Sequence, residues 1–468
     1  MTKFKTNNHK AFAFRKLRAA VLITAAILAL AFIGCKQPVG AKSEESGTST
    51  PKHKVTFSVD GANGTLKAKA EGVAETETSP INVEEGKEVT FTAKANAGYR
   101  VKGWTLDGKP ITEAGTNTEY KLTVTKSAIV SVSFEISPVE GGAVLVLSPD
   151  KLNIRVKAVT ADGSAIQVEG CDETTLESSV DATLYAKGET VILKGKITEL
   201  YCTNNQLTEL NVQGLTALQL LDCYNNQLVR LGVQGCTSLQ QLQCSKNQLT
   251  ALDVQGSTAL QKLGCYNNQL KILNVQGLTS LQELGCFDNT LTALNAQGLT
   301  ALQKLGCSGN KLTALDVQGC SSLQELDCKE NQLASLDVQG CTVLQELDCH
   351  YNKLIRLGVQ GLTSLQRLDC SDNKLVALNV SGCTALEGLD CSANQINAKA
   401  MTALLNVLPA HEASDDAEAL LYTEKTGVGE GNCKDFTNPP ELKASFEGAK
   451  GRIWKLKKIN AGGDEVEI

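Results

Sequence analysis

The cysteines are the residues whose type and spacing first suggest chemistry. The 468-residue chain has 17 cysteines, and ten of them recur every 21 residues from Cys202 to Cys391. Such a row of thiols could form disulfides or bind zinc. Strands of a parallel sheet lie about 4.8 Å apart, wider than the roughly 3.8 Å between the Cβ atoms of a disulfide. Zinc sites usually contain a C-x-x-C pair, and the sequence has none.

A second cysteine position in the same repeats indicates burial rather than reactivity. Cys and Leu interchange there, so the position requires an apolar side chain, and we predict buried, reduced thiols with disulfides and metal binding as the alternatives. Cys171 and Cys433 lie outside the repeats and are either bridged or free. The second position is occupied in turn by Leu215, Cys236, Ser257, Leu278, Leu299, Cys320, Cys341, Leu362 and Cys383.

The repeat itself reads LQLLDCYNNQLVRLGVQGCTS from Leu218 to Ser238. Its first eleven positions match the leucine-rich-repeat signature, with Cys in place of the third Leu. Residues 197–396 thus resemble the short, internalin-like repeats of bacterial surface proteins. The resemblance implies a leucine-rich-repeat solenoid with a parallel β-sheet, little helix and a concave binding surface.

The apolar pattern predicts the same architecture without the resemblance. Period-two alternation around Cys223 places Leu221 and Cys223 inside a short strand, with Asp222 and Tyr224 outside. The second half of the repeat returns the chain through a tight turn at Gly235. No unit can bury its apolar face alone, so neighbouring units must stack.

An asparagine follows each strand cysteine by three residues. We predict that this inward amide is structural, and that it bonds backbone groups of its own turn and of the next turn where the strand ends. The ten positions are Asn205, Asn226, Asn247, Asn268, Asn289, Asn310, Asn331, Asn352, Asn373 and Asn394.

The N-terminus predicts export. Residues 1–34 have a basic opening and a short apolar run typical of a signal peptide. Phe32-Ile33-Gly34-Cys35 resembles the lipobox of bacterial lipoproteins, which implies a lipid on Cys35 and anchoring at the cell surface or outer membrane. Residues 35–53 have the composition of a flexible tether. The alternative is an ordinary signal peptide with an incidental cysteine.

Three further segments flank the repeats. Residues 54–136 alternate at strand period, and Gly98 to Trp104 resembles the G-Y-x-V-x-x-W core of internalin B-repeat modules, so we predict a small, mostly β module acting as a stalk. We predict that residues 137–196 cap the first repeat. We expect residues 397–468 to cap the last one with a helix from Ala398 that stops before Pro409.

Function follows from what the sequence contains and lacks. The catalytic and nucleotide-binding motifs G-x-S-x-G, H-E-x-x-H and the Walker loop are missing, so we predict no enzyme and no cofactor. The whole chain has a net charge of −6, and residues 1–34 carry six positive charges and no acidic residue, so the remainder carries −12. Such an acidic protein is a poor candidate for binding nucleic acid. The resemblance implies an adhesin that captures a protein or glycoprotein of a host or neighbouring cell, with membrane contact only through the lipid. One alternative is a structural envelope protein. Another is an effector with a C-terminal ubiquitin ligase activity, because Cys433-Lys434-Asp435 fits the Cys-x-Asp triplet of leucine-rich-repeat ubiquitin ligases.

The outward strand positions divide into two halves. Tyr224, Tyr266 and Phe287 stand beside Gly264, Gly285 and Gly306 and predict a near-neutral aromatic trough. In the later repeats eight acidic residues point outward against only two basic ones, which predicts an acidic half that contributes to ligand binding. The alternatives are a merely soluble surface and a calcium site among the carboxylates. The candidate ligand-binding residues of this acidic half are Asp327, Asp348, His350, Tyr351 and Asp369.

Overall fold

The computed structural model describes residues 50–61, 63–96, 98–412 and 414–468. The predicted signal peptide 1–34, Cys35 and most of the predicted tether lie outside these residues. The first strand begins at Lys52. In the described part of the chain, no helix combines the length and apolar character needed to cross a bilayer.

The β module contains two sheets that enclose an aromatic core. Phe57, Phe91, Trp104 and Phe134 are buried between them, and the Trp104 indole donates a hydrogen bond to the carbonyl of Asn117 (2.8 Å). The strand orders are β4-β1-β9-β6-β7 and β3-β2-β5-β8. The strands are β1 (Lys52–Asp60), β2 (Gly64–Ala70), β3 (Val73–Thr76), β4 (Ile81–Glu84), β5 (Glu88–Ala95), β6 (Tyr99–Leu106), β7 (Lys109–Pro110), β8 (Glu119–Thr123) and β9 (Ala128–Ile136).

Antiparallel strands close the N-terminal end of the solenoid. One of them, β11, pairs with the first strand of the long sheet, and β10 pairs with the first return strand, so both sides of the first repeat are covered. The buried core of these antiparallel strands contains Ile154, Ile166, Leu184 and Leu193. The strands of this cap are β10 (Gly142–Val146), β11 (Asn153–Thr160), β12 (Ile166–Glu169), β13 (Thr175–Leu176), β14 (Asp181–Tyr185) and β15 (Thr190–Lys194).

The repeats form a parallel solenoid at 21-residue spacing with no helix between Ile197 and Asp390, which confirms the predicted fold class. Each repeat contributes a short strand to one long sheet, and the central leucines are in register, as Leu284 is with Leu305. We call the outward side of this sheet the strand face. Its strands are β16 (Ile197–Tyr201), β18 (Leu220–Asp222), β20 (Gln241–Gln243), β21 (Lys262–Gly264), β22 (Glu283–Gly285), β24 (Lys304–Gly306), β26 (Glu325–Asp327), β28 (Glu346–Asp348), β30 (Arg367–Asp369) and β31 (Gly388–Asp390).

The second half of each repeat, the return half, is extended and ends in a tight turn. Gly235 has a φ of 79°, and a Cβ there would lie 3.3 Å from the backbone nitrogen of Gly214 in the preceding repeat. Both observations favour glycine at this turn. The strands of the return half are β17 (Glu209–Asn211), β19 (Arg230–Gly232), β23 (Ala293–Asn295), β25 (Ala314–Asp316), β27 (Ser335–Asp337) and β29 (Arg356–Gly358).

Two helix–strand units extend the long sheet at its C-terminal end. Helix α1 (Ala398–Asn406) is capped by the preceding residue, Asn397, whose side chain accepts a hydrogen bond from the Ala400 amide. Strands β32 (Glu418–Thr423) and β33 (Lys455–Ile459) add in parallel, and helix α2 (Pro440–Gly451) lies between them in the chain. The antiparallel strand β34 (Glu465–Glu467) ends the sheet.

Candidate ligand-binding surface

The ten repeated asparagines form a buried ladder of amides. Asn289 is representative: its Oδ1 accepts a hydrogen bond from the Leu270 amide (2.9 Å), and its Nδ2 donates to the carbonyls of Cys265 (3.0 Å) and Cys286 (3.1 Å). Leu270 and Cys265 belong to the preceding repeat. Each amide therefore bonds its own turn and the preceding turn. From the sequence we had expected the next turn instead.

Both ends of the ladder are closed by other residues. Asn205 accepts a hydrogen bond from the Arg155 amide (2.8 Å) and donates to its carbonyl (2.7 Å) in the N-terminal cap. At the other end, Asn432 donates to the carbonyl of Cys391 (2.8 Å) and accepts from the amide of Ile396 (2.8 Å). Asn432 is thus an eleventh member of the ladder, and it was missed because it lies outside the 21-residue period.

The repeat cysteines lie inside the solenoid. Fifteen of the 16 described cysteines are buried, Cys433 is half-buried, and none of the 16 forms a disulfide. Burial raises the pKa of the Cys236 thiol to about 11 and that of Cys244 to about 12. These thiols are therefore protonated as well as inaccessible at neutral pH.

We expect the protein over residues 50–468 to react quickly with an alkylating reagent at Cys433 alone, because the other thiols are buried and un-ionised. Denaturation without a reducing agent should expose all 16 thiols, and mass spectrometry of the alkylated protein counts them. Unreactive thiols after denaturation would demonstrate disulfides and contradict the reduced core.

The triplet around Cys433 lies in the C-terminal cap. The Cys433 thiol donates to the carbonyl of Asp435 (3.3 Å). The Asp435 carboxylate accepts hydrogen bonds from the amide (2.8 Å) and the hydroxyl (2.6 Å) of Thr437. The carboxylate is therefore held by Thr437 and not by the thiol.

Two neighbouring rows of outward side chains run across the strand face. Residues in register on adjacent parallel strands define the first row, and the second row lies two residues further along each strand. The first, the glycine–aspartate row, begins with Asp222 and Gln243 and continues with Gly264, Gly285, Gly306, Asp327, Asp348, Asp369 and Asp390. The second, the ring row, consists of Tyr224, Ser245, Tyr266, Phe287, Ser308, Lys329, His350, Ser371 and Ser392.

Two of the three aromatic members of the ring row stack on one another, and the third, Tyr224, is tilted by 59° against its neighbour Tyr266. The rings of Tyr266 and Phe287 are parallel within 8° with centroids 4.2 Å apart, and Tyr224 lies 6.4 Å from Tyr266. A Cβ on Gly285 would lie 3.8 Å from the Tyr266 ring and 3.9 Å from the Phe287 ring, so the glycine leaves bare backbone beside the stack. At Gly264 the Gln243 side chain occupies the corresponding space, so the predicted trough is confined to Gly285 and Gly306. All three rings are half-buried.

The aspartates interact with two cationic members of the ring row. The Lys329 ammonium lies 3.0 Å from the Asp348 carboxylate and 3.5 Å from that of Asp327. His350 Nδ1 lies 2.7 Å from Asp348 Oδ1 and 3.4 Å from Asp369 Oδ2. The acidic half is therefore a cross-linked network and not a set of independent carboxylates.

Burial and neighbouring charge shift the ionisation of this network. Burial lowers the pKa of His350, but the hydrogen bonds and charges of Asp348 and Asp369 outweigh it and raise that pKa to about 10. Burial and the Asp369 charge raise the pKa of Asp390 to about 7. At neutral pH His350 is therefore an imidazolium ion, whereas Asp390 is partly protonated.

Asp348, His350 and Asp369 each offer one ligand atom to a metal ion, and these atoms lie within 4.8 Å of one another. Calcium takes six to eight oxygen ligands, and here one of the three candidate ligands is an imidazole nitrogen. A transition metal would have to displace the proton of His350 from its two carboxylate partners. The arrangement therefore favours the ion-paired imidazolium.

Tyr351 stands apart from the other candidate residues. It occupies the turn after its strand with a φ of 55° and is 62% exposed. Its ring is edge-on to His350 at 6.2 Å. Tyr351 thus lies beside the acidic half and not on the sheet itself.

The β module contacts the return half of the first repeats. The Arg230 guanidinium donates to the carbonyl of Phe134 (2.9 Å), and the Asn211 amide donates to that of Ile136 (3.0 Å). Arg230 and Asn211 lie on β19 and β17. These contacts therefore lie on the return half and not on the strand face.

Comparison with known proteins gives two kinds of match. The family model of the divergent InlB B-repeat domain matches residues 62–138. The functional domain of InlJ from Listeria monocytogenes, a structure described as including a cysteine ladder, is 28% identical over 53% of this chain and 65% of that one, with a TM-score of 0.36. YopM, a leucine-rich effector of Yersinia pestis, is 22% identical over 48% of this chain and 72% of that one, with a TM-score of 0.35. No curated protein matches.

The repeats and their register define the class: this is a leucine-rich-repeat solenoid protein. Residues 62–138, which match the divergent InlB B-repeat domain, precede these cysteine-bearing repeats, and this match confirms the resemblance seen at Gly98 to Trp104. The chain spans just under two thirds of the InlJ structure.

Proposed function

We propose that this protein is a binding protein of the bacterial surface that captures a protein or glycoprotein of a host or neighbouring cell on its strand face. The observation that carries the proposal is the half-buried stack of Tyr266 and Phe287 beside a glycine trough. Aromatic side chains that combine exposed area with a fixed position are the usual anchors of protein interfaces. The adjoining aspartates supply charge for steering and partner choice.

Display at the surface requires an anchor, and we assign it to a lipid on Cys35. Cells fed labelled palmitate should incorporate label into the wild-type protein and none into the Cys35→Ala variant, because that thiol is the acceptor in the lipobox. The label is read from the purified protein by gel. Equal labelling of the variant would rule out this anchor.

The aspartate row should act mainly on the rate of association. Changing Asp327, Asp348 and Asp369 together to Asn should slow association by about five- to tenfold at low salt and flatten its salt dependence. Surface plasmon resonance at several salt concentrations measures the association rate.

The matched control removes three carboxylates from the return half. Changing Asp253, Asp316 and Asp337 to Asn alters the net charge by the same amount and should leave association within about twofold. Equal slowing by the two triple variants would show that net charge alone steers the ligand.

A steric block tests the proposed function. Gly306→Gln places a side chain in the trough, where a Cβ would meet Phe287 at an ordinary contact distance of 3.7 Å. Gly340→Gln adds the same side chain to the return half, where the nearest atom is 3.5 Å away. We expect the Gly306 variant to lose capture of ligands from extracellular-matrix and bacterial-surface extracts, and the Gly340 variant to retain it. Capture unaffected by Gly306→Gln would refute the proposal.

A further inference from the structure

The aromatic stack ends abruptly at Phe287. One face of this ring stacks on Tyr266, with the two ring centroids 4.2 Å apart. Among the described residues, Tyr266 is the aromatic partner of Phe287. On the next strand, β24, the corresponding positions hold Gly306 and Ser308. A Cβ on Gly306 would lie 3.7 Å from Phe287 Cδ1, so bare backbone at Gly306 and the small Ser308 side chain form the floor beside the second face of the ring. This leaves a slot one strand wide.

A carboxylate closes the far side of the slot. Asp327 is in register with Gly306 on the following strand, and its Oδ2 accepts a hydrogen bond from the Ser308 hydroxyl (3.2 Å). The carboxylate therefore reaches over β24 towards the end of the stack. Adjacent strands are about 4.8 Å apart, so a planar group stacked on Phe287 would lie within reach of Asp327.

The charge of Asp327 is incompletely compensated by the protein. Lys329 lies 3.5 Å from it but closer, 3.0 Å, to Asp348. Burial raises the pKa of Asp327 above its usual range despite that lysine. A further cation placed in the slot would stabilise this carboxylate.

We propose that the slot binds the guanidinium group of an arginine of the protein ligand, stacked on the free face of Phe287 and paired with Asp327. This inference rests on the proposed function and names the chemistry of its partner. A guanidinium is planar and weakly hydrated, so it can stack on a ring and pair with a carboxylate at once, whereas the ammonium of a lysine is compact and strongly hydrated. A neutral ring could continue the stack but would add no cation beside Asp327, whose lysine partner is shared with Asp348.

The surroundings favour a basic ligand segment as well. Beyond the slot the glycine–aspartate row continues with three more carboxylates in register, at Asp348, Asp369 and Asp390. Lys329 and His350 are the cations of the ring row beside them. A ligand strand lying across this face would therefore meet an arginine slot followed by an acidic row.

Two synthetic peptides test the inference. The probes are acetylated, amidated pentapeptides of sequence Thr-Arg-Thr-Arg-Thr and Thr-Lys-Thr-Lys-Thr, titrated against the purified full-length protein by calorimetry or NMR. The arginine peptide should bind about tenfold more tightly than the lysine peptide at physiological salt. Phe287→Leu keeps an apolar side chain without the ring, and Asp327→Asn keeps the shape without the charge. Each should reduce the preference to below about twofold, whereas Asp337→Asn on the return half should leave it unchanged.

The outcomes separate this inference from the proposed function. Equal binding of the two peptides, or a preference that survives both strand-face variants, overturns the arginine slot. If Gly306→Gln still abolishes ligand capture in that case, the proposed function stands without the slot. Binding of the neutral sugar cellohexaose that Phe287→Leu abolishes, with no preference for arginine, would assign the stack to a carbohydrate and also overturn the inference.

Discussion

Replacing Asn289 by alanine should lower the free energy of unfolding by about 3 kcal/mol, at the upper end of the cost of leaving buried polar groups unpaired. The substitution removes an acceptor for the Leu270 amide and donors to the carbonyls of Cys265 and Cys286. All three groups lie where the sheet turns, and the amide is only 7% exposed, so water cannot replace it without opening the solenoid. Urea denaturation of residues 50–468 measures the loss.

A second asparagine of the same repeat is the control. Asn295 is exposed in the return half, and its Oδ1 accepts a single hydrogen bond from the Gln297 amide (2.9 Å). Asn295→Ala should cost less than about 1 kcal/mol because water can reach the freed amide. Equal losses for the two variants would mean that the buried ladder adds nothing beyond an ordinary turn.

Removing the aromatic pair should have the largest effect on binding. Tyr266→Ala combined with Phe287→Ala should weaken ligand affinity by at least about 2 kcal/mol, or roughly 30-fold, because stacked rings at the centre of a face act as binding hot spots. Neither ring belongs to the solenoid core, so the thermal midpoint should change little. The affinity of the captured ligand is measured by surface plasmon resonance.

The matched control truncates two exposed apolar residues of the return half. Ile272 is 77% exposed and Ile355 is 53% exposed, and changing both to alanine removes apolar surface without touching the strand face. Affinity should stay within about twofold of wild type, as expected for truncation outside an interface. An equal loss in both double variants would place the interface elsewhere.

The regular part of the fold could be predicted because the same apolar pattern recurs in every 21-residue repeat. Leu221 and Cys223 alternate with outward residues at strand period, and ten equivalent positions share the same burial. The chemical nature of the cysteine position followed from its exchange with leucine, as at Leu215 and Cys236. Local pattern and stacking agree in such a solenoid, so one unit predicts the rest.

The irregular ends depend on contacts that no period encodes. Of the C-terminal cap, only the helix near Ala398 was predicted, whereas α2 and the three added strands were not. Asn432 joins the ladder through a loop, and the direction of the ladder's hydrogen bonds depends on backbone geometry. The stacking of Tyr266 on Phe287 and the docking of Arg230 on the β module likewise arise from packing between units.

The central claim is that the ligand docks on the strand face, and site-specific photo-cross-linking tests it most directly. The photoreactive residue p-benzoylphenylalanine would replace, one at a time, Tyr224 on the strand face, Ile272 on the return half and Ile129 on the β module. Ile272 and Ile129 are 77% and 55% exposed and Tyr224 is half-buried, so each site presents part of its side chain to a ligand. We predict a cross-linked ligand from the Tyr224 position alone. A cross-link from Ile129 or Ile272 with none from Tyr224 would contradict the account and make the module or the return half the binding surface.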